Sequence, residues 1–248
     1  MPIDTLFAVL VAAAFLAGFV DAIAGGGGLV TIPALLLGGL DPLSAIGTNK
    51  LQALFGSGSA SIAYASKGHV NLRKLMPTAA ISFGGACLGG LGAQFLPTAV
   101  LETILPWLLI AIAVYFAVKP GLSDEDAARR VPPVAFVFFF VPLIGAYDGL
   151  FGPGAGSFFM LAFVTLAGYG ILKATAHTKL LNFASNLGGF VVFAFSGVIL
   201  WKLGLAMGVA QFLGARLGAM SAMRFGAKLI RPLLVTVCIA LAVRLLWT

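Results

Sequence analysis

The sequence predicts an all-α polytopic membrane protein made of two inverted-topology repeats, each of about five hydrophobic segments with one short broken or re-entrant helix. Three observations predict it: an extreme apolar composition, a self-similarity between the halves that includes charges inside apolar runs, and a skewed distribution of basic loops. The 248 residues are 60% hydrophobic and 9% charged, with a mean hydropathy of +1.08. Soluble domains carry roughly 25% charged residues. Apolar runs long enough for the ~20 residues that cross a ~30 Å hydrocarbon layer recur along the chain. They lack the alternation of ~10-residue barrel strands, so helices are the predicted way to satisfy the backbone in lipid.

Self-similarity defines the halves. Gly18-Phe19-Val20-Asp21-Ala22-Ile23-Ala24-Gly25-Gly26-Gly27 aligns with Gly145-Ala146-Tyr147-Asp148-Gly149-Leu150-Phe151-Gly152-Pro153-Gly154, 127 positions later. Further on the offset is 129 and pairs Lys50 with Lys179, Gly68 with Gly197, and Gly85 and Gly89 with Gly214 and Gly218. Apolar segments resemble one another by chance, but matched aspartates and lysines within them do not. The predicted organisation is a first repeat over 1–119, a cytoplasmic linker over 120–132 and a second repeat over 133–248, together one transmembrane domain.

The predicted segments run over 4–24, 28–40, 42–66, 75–96 and 98–118, then 133–151, 155–170, 171–196, 201–222 and 231–247. The second of each half is too short to span and starts at a glycine cluster, which predicts a broken helix or re-entrant pair. Ala22-Ile23-Ala24 imitates a signal-peptidase site, but no basic residue precedes it, so it is expected to be retained structure. In the linker, Ser123 and Asp126 are placed to cap a short helix ending at Arg129 and Arg130.

Nine of the 15 basic residues fall in three loops: Lys67, Arg73 and Lys74; Lys119, Arg129 and Arg130; Arg224, Lys228 and Arg231. The positive-inside rule makes these cytoplasmic, and the repeat counterparts of the first and third are nearly uncharged. Equivalent loops thus face opposite sides, as in inverted repeats, with both termini expected outside and the chain expected in a bacterial inner membrane. The formal charge of +7 is therefore a topology signal and not a nucleic-acid surface. Cys87 and Cys238 stand alone in apolar runs, so neither a disulfide nor a thiolate metal site is expected.

Asp21, Asp148, Lys50 and Lys179 lie well inside apolar runs. Lys50 comes eight residues after Pro42, which puts it about 12 Å along a helix. An isolated charge at that depth costs about 2.5–3.5 kcal/mol, so four unpaired ones would consume about 10–14 kcal/mol. They must be paired or hydrated. One possibility is two structural Lys–Asp pairs that glue helices together; the other is a polar chamber between the repeats.

The chamber is suggested by the neighbouring backbone. Gly25, Gly26, Gly27 and Gly28 in one half, and Gly152 and Gly154 in the other, let a helix break and restart with its positive dipole end exposed to an anion. Around the lysines stand Thr48, Asn49 and Gln52, then His177, Thr178, Asn182 and Asn186. Lys50 and Lys179 would supply charge to an oxyanion, and Thr48, Asn49, Thr178 and Asn182 hydrogen-bond donors. His177 is either a proton carrier or an ordinary helix histidine. Asp21 and Asp148 would relay protons, bind a coupling cation or hold the glycine loops. Gly85 and Gly89, and Gly214 and Gly218, have the spacing that permits close helix approach, within the chain or in a dimer.

Gly18 to Pro33, with Asp21 ahead of the Gly25–Gly28 run, the tetrad Gly47-Thr48-Asn49-Lys50, and His177-Thr178-Lys179 followed by Asn182 resemble the sulfite exporter TauE/SafE family of membrane permeases. The resemblance covers nearly the whole chain. It implies a secondary transporter, commonly an exporter, of sulfite, sulfoacetate or another small organosulfonate, with no enzymatic turnover and no cofactor. The family's glycine loop maps to Gly25–Gly28 and its lysine motifs to Lys50 and Lys179; the second loop departs from the pattern at Pro153 and Ala155. The expected partners are a small anion and the bilayer, with a coupling proton or sodium and a homodimer left open. The competing function is a cation- or proton-coupled carrier or channel built on the two aspartates. Catalysis is not expected, since the sequence holds no HExxH and no nucleophile–histidine pair at recognisable spacing.

Overall fold

The computed structural model describes residues 3–97, 99–100, 103, 107, 125–226 and 228–229. The expected segments 98–118 and 231–247, with Lys119, Ser123, Arg231 and Cys238, lie outside the described residues or largely so. Among the described residues the chain is helical, without strands: α1 (Ile3–Ala24), α2 (Gly27–Leu37), α3 (Pro42–Ser66), α4 (Leu72–Phe95), α5 (Pro133–Leu150), α6 (Ala155–Thr165), α7 (Ile171–Ser196) and α8 (Trp201–Phe225). By length and composition α1, α4, α5 and α8 are able to cross a membrane, whereas α2 and α6 are short apolar helices. Helices α3 and α7 are long enough but carry the polar residues, and they bury them.

The boundaries follow local chemistry. Asp41 caps α3 by accepting from Ser44 N at 3.0 Å, with Pro42 in the first turn, where its missing N–H costs nothing. Asn71 caps α4 at Lys74 N, 3.2 Å, so that helix starts earlier than expected. Helix α5 widens to a π turn over Phe136–Phe140 immediately before Pro142, which cannot donate to the turn behind it. Helix α6 stops at Thr165 and not at 170, because residues 166–170 receive the linker. Ala127 N donates to Gly168 O at 2.8 Å and Arg130 N to Leu166 O at 3.0 Å. The expected capped helix is absent over 126–130; Asp126 accepts from Gly170 N at 2.7 Å and Lys173 Nζ at 2.6 Å, docking the linker on the turn.

Two helix pairs of the same kind frame the molecule: α1 against α8, and α4 against α5. Both are close backbone packings. A β-carbon at Gly214 or Gly218 would fall on the carbonyls of Phe15 or Phe19, and one at Gly18 on that of Gln211. In the other pair Gly85 and Gly89 face the carbonyls of Pro142 and Ala146, while Gly145 and Gly149 face those of Ser82 and Ala86. The small-residue spacings therefore serve packing inside this chain.

Helices α1 and α2 form a hairpin whose open end is closed by Leu10, Leu35 and Met207, with Leu10 over Gly38. The same end holds the start of α3 and the α7–α8 turn, where Leu200 N donates to Thr48 Oγ1 at 3.1 Å. Helices α5 and α6 form the second hairpin. Its open end lies at the other side of the bundle, where the linker meets Leu166 and where Gly68, His69, Asp126 and Lys173 border one surface pocket. The closed tips of the two hairpins meet in the interior.

Candidate functional site

Each hairpin tip is a glycine elbow. Gly25 (φ 79°), Gly152 (φ 94°) and Gly154 (φ 74°) adopt left-handed backbone that other residues resist. The elbows touch: Ser157 N donates to Gly25 O at 3.0 Å, Ser157 Oγ donates to Ala24 O at 2.6 Å, and Gly28 faces Pro153. A β-carbon on Gly25 would collide with the backbone of Gly156 and Ser157, so the contact requires glycine. Gly26 caps α2, and Gly27 N donates to Asp21 Oδ1 at 3.1 Å, which ties the aspartate of α1 to the start of α2.

The four intramembrane charges pair across the halves. Lys50 Nζ of α3 sits 2.5 Å from Asp148 Oδ1 of α5, and both residues are buried. Lys179 Nζ of α7 donates to the Asp21 carbonyl and lies 3.5 Å from Asp21 Oδ2. Asp148 is held more tightly, since Ser185 Oγ donates to its other oxygen. The Lys50 stem is cradled by small residues: it runs past Gly189, and a β-carbon at Gly152 would stand 2.9 Å from its Nζ. Burying such pairs costs desolvation that their attraction only partly offsets, so they are poor evidence of stabilisation by themselves.

Between the elbows and the pairs is a small polar cavity, with room for about one water molecule. Asp21 and Asp148 form part of its wall, together with backbone at Gly25, Gly28, Gly152, Gly154 and Gly156. Its amide side chains are Asn49, Asn182, Asn186 and Gln211. The hydrogen bonds orient two of these. Asn49 Oδ1 accepts from Thr31 Oγ1 at 2.6 Å and Gln52 Nε2 at 3.0 Å, which turns its amide nitrogen toward Gly28. Asn182 Oδ1 accepts from Asn186 Nδ2 at 3.1 Å, which turns its nitrogen toward Gly156. With both oxygens committed, the ends left at the elbows are donors.

Not every expected site residue reaches this cavity. Lys50 and Lys179 stand behind the carboxylates and are not on its wall. Thr48 accepts from the α7–α8 turn, and the buried Thr178 hydroxyl has no partner among the described residues. His177 lies near the linker, with Nδ1 2.8 Å from Lys173 O and its ring edge-on to Tyr169. Gln211 and Ser185 were not singled out by sequence. Gln211 aligns with Ser82 at the 129-position offset, so a search for matched residue types passes over it.

Buried charge in a helical bundle with two interrupted helices is the construction of a polytopic membrane transporter. The chain matches the sulfite exporter TauE/SafE family over residues 10–245 and belongs to that family. It is 62% identical over 97% of its length to the probable membrane transporter protein ORF9 of a Sinorhizobium species, covering 92% of that protein. It is 47% identical over 98% of its length to the probable membrane transporter protein YfcA of Escherichia coli K12, covering 90% of it. A more distant relative, the probable membrane transporter protein YunE of Bacillus subtilis, is 24% identical over 97% of each chain. No solved structure matches. The protein is a multi-pass membrane transporter.

Proposed function

We propose that the protein exports a small oxyanion, such as sulfite, sulfoacetate or another organosulfonate, across the bacterial inner membrane, and binds it in the cavity between the elbows. The observation that carries this reading is the pair of oriented amides: Asn49 and Asn182 each spend their oxygen on a neighbour and turn an NH₂ group toward a glycine elbow. Such donors beside the restarts of α2 and α6 suit oxygens bearing negative charge. The formal charges of the two Lys–Asp pairs sum to zero. Because Asp21 and Asp148 stand between the lysines and the cavity, an entering oxyanion draws the carboxylates aside before Lys50 and Lys179 exchange one of them for a substrate oxygen.

The halves 1–119 and 133–248 act as inverted repeats joined by a cytoplasmic linker over 120–132, with both termini outside. Three features support this: the α1–α8 and α4–α5 pairs correspond under exchange of the halves, the hairpins open to opposite ends, and the Lys–Asp pairs are reciprocal. Alternating access then consists of one half rocking against the other around the cavity.

A second reading is favoured by one observation, that Asp21 and Asp148 line the cavity while the lysines stand behind them. In it the aspartates carry a coupling proton or sodium. Proteoliposomes loaded with labelled sulfite or sulfoacetate, compared with sodium and divalent-metal flux, separate the two. The first reading expects saturable anion efflux; cation flux without any anion flux rejects it.

A further inference from the structure

Gln211 projects from α8 to the same cavity wall and is 2% exposed. Glycines on two other helices make its slot: a β-carbon at Gly18 or at Gly56 would stand 2.8 Å from Gln211 Cγ. Inside that slot Gln211 Oε1 has no hydrogen-bond partner among the described residues. A protein that reserves space on α1 and α3 for a buried amide, then leaves one end of it unsatisfied, keeps that end for something that enters the cavity.

The other half shows what a purely structural residue at this place looks like. Ser82 occupies the corresponding position of α4, 129 residues earlier. Its carbonyl meets Gly145 as the Gln211 carbonyl meets Gly18. The Ser82 hydroxyl donates to Leu181 O at 2.9 Å, and Ser82 is not part of the cavity wall. Two helix crossings of the same design therefore carry different side chains, and only the longer one reaches the cavity.

We infer that Gln211 is a substrate-recognising residue, whose terminal amide hydrogen-bonds an oxygen of the anion held between the elbows. This rests on the oxyanion reading above. The orphaned end is the carbonyl oxygen, an acceptor for the hydroxyl of a protonated sulfur–oxygen group; a half-turn of the amide puts its NH₂ donor there for an ionised one. Being neutral, it selects by hydrogen-bond geometry without altering the charge balance of the two ion pairs.

The test is the concentration dependence of labelled sulfite and sulfoacetate transport in proteoliposomes by the full-length chain, Gln211→Met and Gln211→Glu. Losing one hydrogen bond to a charged ligand raises KM by about 10- to 100-fold. Gln211→Met is expected to show that rise with Vmax little changed, and Gln211→Glu, which sets a third carboxylate on the wall, a larger one. In a background with Cys87 and Cys238 replaced by serine, Gln211→Cys should be shielded from an anionic thiol reagent by sulfoacetate, which does not itself react with the reagent. Wild-type KM in both variants, a fall in Vmax alone, or the absence of shielding overturns the inference while leaving the oxyanion reading in place. No saturable transport of either anion by the wild-type chain overturns the oxyanion reading, and this inference with it.

Discussion

Lys50 and Asp148 meet at 2.5 Å although 98 positions separate them in the chain, and each belongs to a different half. The pair ties α3 to the tip of the second hairpin, as Lys179 and Asp21 tie α7 to the tip of the first. Its energetics set the first prediction. Removing one partner strands a buried charge, which costs about 3–5 kcal/mol, whereas replacing both by neutral groups of similar size is close to neutral. Lys50→Met is thus expected to lower the thermal midpoint sharply, and adding Asp148→Asn to restore most of it; a double-mutant cycle of these two substitutions on thermal unfolding in detergent measures this.

The elbow contact gives the second. Gly25→Ala forces a β-carbon into left-handed backbone and into Gly156 and Ser157. It is expected to abolish transport and to destabilise the fold by more than Ser157→Ala. The latter loses only the bond to Ala24 O, worth about 1 kcal/mol. Unfolding midpoints and flux measured on the same preparations check both.

The helix crossings give the third. Gly89→Val or Gly218→Val places side-chain atoms where the Ala146 or Phe19 carbonyl now lies. Each is expected to destabilise the monomer by about 1–3 kcal/mol or more by overpacking. Light scattering in detergent should show an unchanged oligomeric state, since these glycines face the chain's own helices.

The linker gives a pH prediction. Gly170 N–H, first, and then the Lys173 ammonium hold the Asp126 carboxyl below its ordinary range. A depressed folded value means that the docking contribution is full above the ordinary carboxylate pKa of about 3.9 and is lost as pH falls through the lower folded value. Amide exchange at Ala127 and Arg130 should accelerate only in that acid window, and Asp126→Asn should remove the pH step.

Much of this architecture is legible in the sequence. The glycine clusters mark the elbows because a helix there has neither propensity nor side-chain packing to hold it, and the aspartates and lysines stand out because lipid penalises them. Which lysine pairs with which aspartate is not legible, because contacts between residues 98 and 158 positions apart leave no periodic trace. The expectation that the ammonium groups face the chamber overlooks that a carboxylate from the opposite half is nearer to each. The orientation of Asn49 depends on Thr31, a small polar residue whose hydrogen bond reaches 18 positions along the chain and leaves no trace in the sequence pattern.

The role proposed for the cross-half pairs is to move an oxyanion, beyond holding helices together. The most direct test is labelled-sulfite and sulfoacetate flux in proteoliposomes by Lys179→Met combined with Asp21→Asn, a neutral pair that keeps an acceptor for Gly27 N. A folded, correctly inserted protein with anion flux reduced to the level of empty vesicles is expected. Wild-type flux from that variant would contradict that role and leave the pairs as structural glue.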